Sequence, residues 1–219
     1  TCALPIFTNI KGAIFDLDGT LVDSMWIWEQ IDIDYLNEKG YEMPQNLKDE
    51  INHLSFQETA VYFKNRFHLD DSLDEIMNAW HNMAYKHYLE DVNLKEGVLE
   101  LLTHLKDKGI KIGLATSNSY PLLEAVLKKR EIYNLFDTIV TTEEAKKSKS
   151  NPDVYLMAAA RLDVKPSECI VFEDIIEAVR GAKSANMKVI AVYDKAAGYQ
   201  KQDLIETADK YIMNFKELL

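Results

Sequence analysis

The sequence predicts an α/β protein built on a doubly wound parallel sheet, with a block of helices inserted near its start. Three observations carry this. A short apolar run with β-branched character stands at residue 12, four more alternate with helical patterns from residue 94 onward, and no convincing strand lies between. Taken in order, GAIFDL (12–17) is the first strand. Residues 24–92 then hold three or four helices, with Trp28, Ile31 and Tyr35 on one helical face that ends at Gly40. Ser55-x-x-Glu58 and Ser72-x-x-Glu75 are capping-box patterns that open further helices. All three tryptophans fall in this block, where they are expected to form its core and leave a few residues to line a cleft. The alternation resumes with a helix over 94–109 closed by Gly109, a strand KIGLATS (111–117), a helix over 121–132 and a strand DTIVTT (137–142). A helix over 152–162 follows, with Pro152 first and Asn151 as its cap, then ECIVFED (168–174), a helix over 175–185 and KVIAVYD (188–194). The expected domains are an α/β core of residues 1–22 and 93–219 and a helical insert of 23–92.

Composition narrows the function. With 219 residues, 47% of them hydrophobic and 28% charged, the chain can bury a full core. Its net charge of −11 argues against binding nucleic acid or an anionic membrane, which reward clustered Lys and Arg. Cys2 and Cys169 are far apart and match no metal or redox spacing, so a reducing, cytoplasmic setting is expected. The N-terminal residues do not read as a signal peptide, and no run of about 18 apolar residues suggests a membrane span.

The chemistry gathers at strand ends. The first strand ends in Asp16 and Asp18, the second in Thr116-Ser117-Asn118-Ser119, and a later one in Glu173-Asp174, while a basic loop with Lys146, Lys147 and Lys149 follows DTIVTT. In an open parallel sheet these ends converge on the ligand-binding crevice. Strand alternation aims Asp16 and Asp18 to one side, and Gly19 lets the chain turn with its amides near a ligand. A calcium loop would need its glycine at position 6, not position 4. Asp174 has a second reading as the cap of the next helix, with Glu177 completing the pattern. Lys149 alone reads as a solvated loop lysine and Ser117 alone as a turn residue; the weight lies in the set.

The set DLDGT (16–20), Ser117, Lys149 followed by Pro152-Asp153, and Glu173-Asp174 resembles the haloacid dehalogenase-like (HAD) superfamily, and most closely its β-phosphoglucomutase-like subgroup of phosphatases and phosphohexomutases. The four motifs stand in order, and the resemblance covers the chain from residue 10 to the end. The resemblance implies a Rossmann-like core with an α-helical cap that closes over the site. It implies Asp16 as nucleophile forming an aspartyl-phosphate, and Asp18 as the acid that protonates the leaving alkoxide and then activates water. Mg²⁺ would be held by Asp16, Asp18 through its backbone carbonyl, and Asp174, with Glu173 as a further ligand or behind them. Ser117 and the Asn118 amide would bind the phosphoryl oxygens, and Lys149 would offset their charge. Gly19, Trp28 and Phe56 complete the expected substrate contacts.

Four departures from the family pattern bear on this reading. The lysine motif, commonly GKPxPD, here reads Ser148-Lys149-Ser150-Asn151-Pro152-Asp153, which loosens the loop and makes Lys147 an alternative. Ile175 replaces a serine after the acidic pair. Phe56 stands where the mutases' cap loop carries an arginine, and Trp28 where they carry a histidine. Without that second cationic clamp, hydrolysis of a small phosphorylated metabolite is expected over phosphohexomutase chemistry, with a non-catalytic phosphoacceptor domain as the third reading. The expected state is a monomer or weak homo-oligomer.

Overall fold

Ala13, Ile14 and Phe15 are fully buried, as a strand covered by helices on both faces requires. They place Gly12–Phe15, strand β1, at the centre of the sheet in the computed structural model, which describes residues 5–51, 54 and 56–219, the side chains of Pro5 and Asp49 excepted. Cys2 and the Ser55 end of the Ser55–Glu58 capping pattern lie outside the described residues. In chain order the elements continue with β2 (Val22–Asp23), α1 (Ile27–Glu38), α2 (Leu47–Ile51), α3 (Phe56–Arg66) and α4 (Leu73–Glu90). Next come β3 (Asn93–Leu94), α5 (Val98–Asp107), β4 (Lys111–Thr116), α6 (Tyr120–Lys129), β5 (Thr138–Thr141) and α7 (Thr142–Ala145). The chain ends with α8 (Asp153–Leu162), β6 (Cys169–Glu173), α9 (Ile176–Ser184), β7 (Lys188–Val192), α10 (Lys201–Thr207) and β8 (Lys210–Ile212).

Six strands form one parallel sheet in the order β5-β4-β1-β6-β7-β8. From β1 the chain moves to one side through β4 and β5, then crosses to β6 and continues outward the other way. The carboxyl ends of β1 and β6 therefore flank the point where the connections diverge, the place where such sheets bind ligands. Register fixes which residues meet there. Phe15 is opposite Leu114 on one side and Phe172 on the other, its ring stacked on Phe172 at 4.3 Å. The Asp16 amide continues the ladder by donating to the Phe172 carbonyl at 3.0 Å, which sets Asp16 beside Glu173.

Contacts divide the chain into two compact units, one running through Ser24 and resuming at Val92, the other Met25–Asp91. The first holds the sheet and also a small antiparallel pair, β2 with β3. The second is helical. Ser72 and Glu75 close a reciprocal capping box at the start of α4, as their spacing predicts. The buried stripe of α1 is Ile27, Ile31 and Tyr35, each four residues on, rather than the expected Trp28, Ile31 and Tyr35. Trp28 lies one residue, about 100°, off that stripe and is 40% exposed. Trp26 is also part exposed, so of the tryptophans only Trp80 packs into the core of this unit, against Tyr35 and Phe63.

Other boundaries shift for local reasons. Helix α5 begins at Val98, not residue 94, because Asn93–Leu94 pairs as β3 and Gly97 caps in a left-handed conformation. Pro152 caps α8 instead of opening it, since Asn151 is spent in the preceding turn, its amide donating to the Ser148 carbonyl at 3.0 Å. Among the described residues, no helix is long and apolar enough to cross a membrane.

Candidate active site

The site starts at Asp16, the residue after β1, buried at the centre of the sheet's carboxyl edge. One of its carboxylate oxygens, Oδ1, accepts a hydrogen bond from Lys149 Nζ, which also donates to Glu173 Oε1 at 2.7 Å. Lys149 is therefore no solvated loop lysine: it is 8% exposed and paired with two carboxylates, while Lys147 is exposed. The loop that carries it lacks the glycine and proline of the family pattern but is held by its own hydrogen bonds. Ser148 and Ser150 share one at 2.7 Å, and the Asn151 side chain reaches Ser148 Oγ at 3.3 Å.

Glu173 ends β6 and is fully buried. Its Oε1 accepts a second hydrogen bond from Tyr155 Oη on α8 at 2.7 Å. Its Oε2 is buried with no hydrogen-bond partner among the described residues. Asp174 follows, buried, with Thr20 Oγ1 donating to its Oδ1 at 3.4 Å. Asp174 does not cap α9: Ile175 holds that position, and the Ile176 amide donates to Gln200 Oε1. Carboxylate oxygens of Asp16, Glu173 and Asp174 lie within 4.8 Å of one another, the group among the described residues able to hold a metal ion.

Asp18 stands apart from that cluster. Strand β1 stops at Phe15, so strand alternation does not relate Asp18 to Asp16; Asp18 sits in a turn that returns the chain to Val22. Three amides, of Thr20, Leu21 and Val22, converge on the Leu17 carbonyl, and Gly19 takes the left-handed φ of +81° that this turn needs. The Asp18 carboxylate accepts hydrogen bonds from Ser24 Oγ at 2.6 Å and Asn118 Nδ2 at 2.8 Å. Asn118 thus touches Asp18 through its side chain, while its backbone amide donates to Thr116 Oγ1. Ser117, just past β4, is exposed. Trp28 and Phe56 belong to the helical unit, where their ring centroids are 6.0 Å apart.

The electrostatics follow from burial. Removal from water, then repulsion from Asp16, outweighs Lys149 and pushes Glu173 up to about 7. Asp174 is raised well above the usual carboxylate range, first by burial and then by Asp16 and Glu173. Burial is the largest single influence on Lys149 and draws it down, but Asp16 and Glu173 together overcome it and hold the ammonium protonated. Three carboxylates share one lysine, and one carboxylate oxygen is orphaned. That hard, anionic oxygen set fits a small divalent cation such as Mg²⁺. Ser24, Thr20 and Tyr155 are contacts that sequence reasoning did not assign to the site. Thr20 lies inside the DLDGT run, whereas nothing local marks Ser24 or Tyr155.

Comparison with known proteins gives one consistent result. Residues 13–192 match the family described as haloacid dehalogenase-like hydrolase. Hexitol phosphatase B of Escherichia coli is 29% identical over 84% of each chain, and the β-phosphoglucomutase of Bacillus subtilis is 30% identical over 84% of this chain and 83% of its own. A crystal structure from Thermotoga maritima superposes with a TM-score of 0.84 at 26% identity, covering 95% of this chain and 97% of that one.

Proposed function

The chain belongs to the haloacid dehalogenase-like hydrolases, and from that premise we propose that it is a Mg²⁺-dependent phosphomonoesterase acting on a small phosphorylated metabolite. The observation that carries this reading is the division of the acids: Asp16 buried against Lys149, and Asp18 held separately by Ser24 and Asn118. A nucleophile must be free to attack phosphorus while a second group keeps a proton for the leaving oxygen, and two carboxylates in different surroundings meet both needs.

In the proposed reaction an Asp16 oxygen attacks phosphorus as the ester P–O bond breaks, and Asp18 gives its proton to the departing alkoxide. Asp18 then takes a proton from water, which attacks the aspartyl-phosphate, releasing phosphate and restoring the Asp16 carboxylate. Lys149, with Ser117 and Asn118, offsets and orients the transferring phosphoryl oxygens. Asp16, Asp174 and the Asp18 carbonyl, with Glu173 beside them, would hold Mg²⁺, which when bound neutralises phosphoryl charge. Trp28 and Phe56, both part exposed on the helical unit, are proposed to select the leaving group. Because Hexitol phosphatase B is among the relatives, phosphorylated sugars and polyols are the first substrates to test. The reading also takes the enzyme as a cytoplasmic monomer or weak homo-oligomer.

Asp16→Asn should lower turnover of 4-nitrophenyl phosphate with Mg²⁺ by at least about 10³-fold; activity at the level of the unsubstituted enzyme would reject Asp16 as nucleophile. The relative named β-phosphoglucomutase favours a second reading, a phosphohexomutase. Product analysis with a hexose 1-phosphate decides between them: free phosphate supports hydrolysis, and a sugar 6-phosphate supports the mutase.

A further inference from the structure

Lys95 falls outside every motif, yet its ammonium joins three separate segments of the sheet unit. Nζ donates to the Gly19 carbonyl, to the Tyr193 carbonyl at 2.8 Å and to Asp194 Oδ2 at 2.8 Å. Its backbone amide donates to the Leu21 carbonyl at 2.9 Å, so main chain and side chain of one residue grip both ends of the turn that follows Asp18. Asp194 is itself fixed, its Oδ1 accepting from the Ala196 amide at 2.8 Å. The side chains of the pair are only 15% and 5% exposed.

We propose that Lys95 is a positioning residue for Asp18, clamping the Gly19 turn to the carboxyl end of β7 through Asp194 and the Tyr193 carbonyl. The physical case is one of cost. An ion pair taken out of water gains little net stability unless its remaining donors are satisfied, and here all three ammonium protons have acceptors. One of those acceptors belongs to the residue next to the proposed proton donor. The turn is shaped by a left-handed glycine, by three amides sharing the Leu17 carbonyl and by the Gly19 amide donating to the Val22 carbonyl at 3.0 Å. It is Lys95 Nζ that ties the Gly19 carbonyl to the rest of the sheet unit. A displacement of about 1 Å in a catalytic group costs up to about 10²-fold in rate.

This role rests on the phosphatase reading, and the experiment separates the two. The readout is the ratio of kcat on phenyl phosphate to kcat on 4-nitrophenyl phosphate. These share a shape but differ in leaving-group basicity, so the ratio reports proton delivery by Asp18. Lys95→Met is expected to lower that ratio about tenfold or more. Lys106→Met, which breaks the exposed Lys106–Asp137 pair far from the turn, should keep the original ratio even where its melting temperature falls. An unchanged ratio in Lys95→Met overturns the positioning role. If the lone Asp194 charge prevents Lys95→Met from folding, Lys95→Met with Asp194→Asn leaves no unpaired charge and carries the same expectation. Should Asp16→Asn be fully active, the phosphatase reading fails; should it be inactive while Lys95→Met keeps the ratio, only the role of Lys95 fails.

Discussion

Asp32 stands on α1 beside buried Ile31, and its carboxyl is pushed up to about 7, first by burial and then by the Glu29 charge. A carboxyl whose folded value lies above its unfolded value binds its proton more tightly in the folded chain. The penalty is therefore absent in acid below about pH 4, grows as pH rises, and is complete above about pH 7. Asp32→Asn should melt higher than the unsubstituted protein at pH 8, and the gap should shrink on going to pH 5. Melting curves with a pH-independent gap would show that Asp32 is not held protonated. Such residues mark the limit of reading from sequence. Asp16, Glu173 and Asp174 are legible because they end or directly follow strands whose apolar runs are plain, and Lys149 because it lies in the basic loop beyond β5 and α7. Tyr155 and Ser24 were not, because a tyrosine on an amphipathic helix and a serine after a two-residue strand acquire their partners only through tertiary packing. Strand alternation does not reach Asp18 because β1 ends at Phe15, three residues before it.

At the scale of elements, α9 carries a glycine in its interior for a reason the helix itself does not supply. A Cβ on Gly181 would lie 1.9 Å from the Lys149 carbonyl oxygen and 3.1 Å from that of Asn151. The obstacle is backbone, so the loop bearing Lys149 would have to move. Helix propensity alone predicts that alanine stabilises such a site by about 1 kcal/mol. The close approach predicts the reverse: Gly181→Ala should lower the melting temperature and reduce kcat on 4-nitrophenyl phosphate at least tenfold, as Lys149 Nζ leaves Asp16. A variant that melts higher and keeps its turnover would show that the loop yields freely. The missing glycine and proline of this loop, which suggested looseness, are answered by that packing and by the Ser148, Ser150 and Asn151 hydrogen bonds. Periodicity identified β1 and β4 through β7, whose runs are apolar on both faces. It did not identify β2, β3 or β8, of two or three residues each, which are too short for a period and are defined by their partners.

Across the whole molecule the charge is −11, and the sheet unit concentrates part of it where water is excluded. Asp16, Glu173 and Asp174 outnumber Lys149, and Glu173 Oε2 has no hydrogen-bond donor among the described residues. An enzyme tuned for its own stability would not keep this arrangement, since each unpaired buried carboxylate opposes folding. The cost becomes intelligible if a divalent cation completes the site, because binding to the folded form alone adds stability as RT ln(1 + [L]/Kd), about 2.7 kcal/mol at a hundredfold excess over Kd. Two opposite effects of one substitution follow. In metal-free buffer Asp174→Asn should melt higher than the unsubstituted protein, because it removes a repelled carboxylate. On titration with Mg²⁺ the unsubstituted protein should rise and overtake it, while Asp174→Asn moves little. Differential scanning calorimetry with and without Mg²⁺ reads both halves. Equal Mg²⁺ shifts in the two proteins would remove Asp174 from the ligand set, and a lower melting point for metal-free Asp174→Asn would mean that the Thr20 hydrogen bond to Asp174 outweighs the repulsion around it.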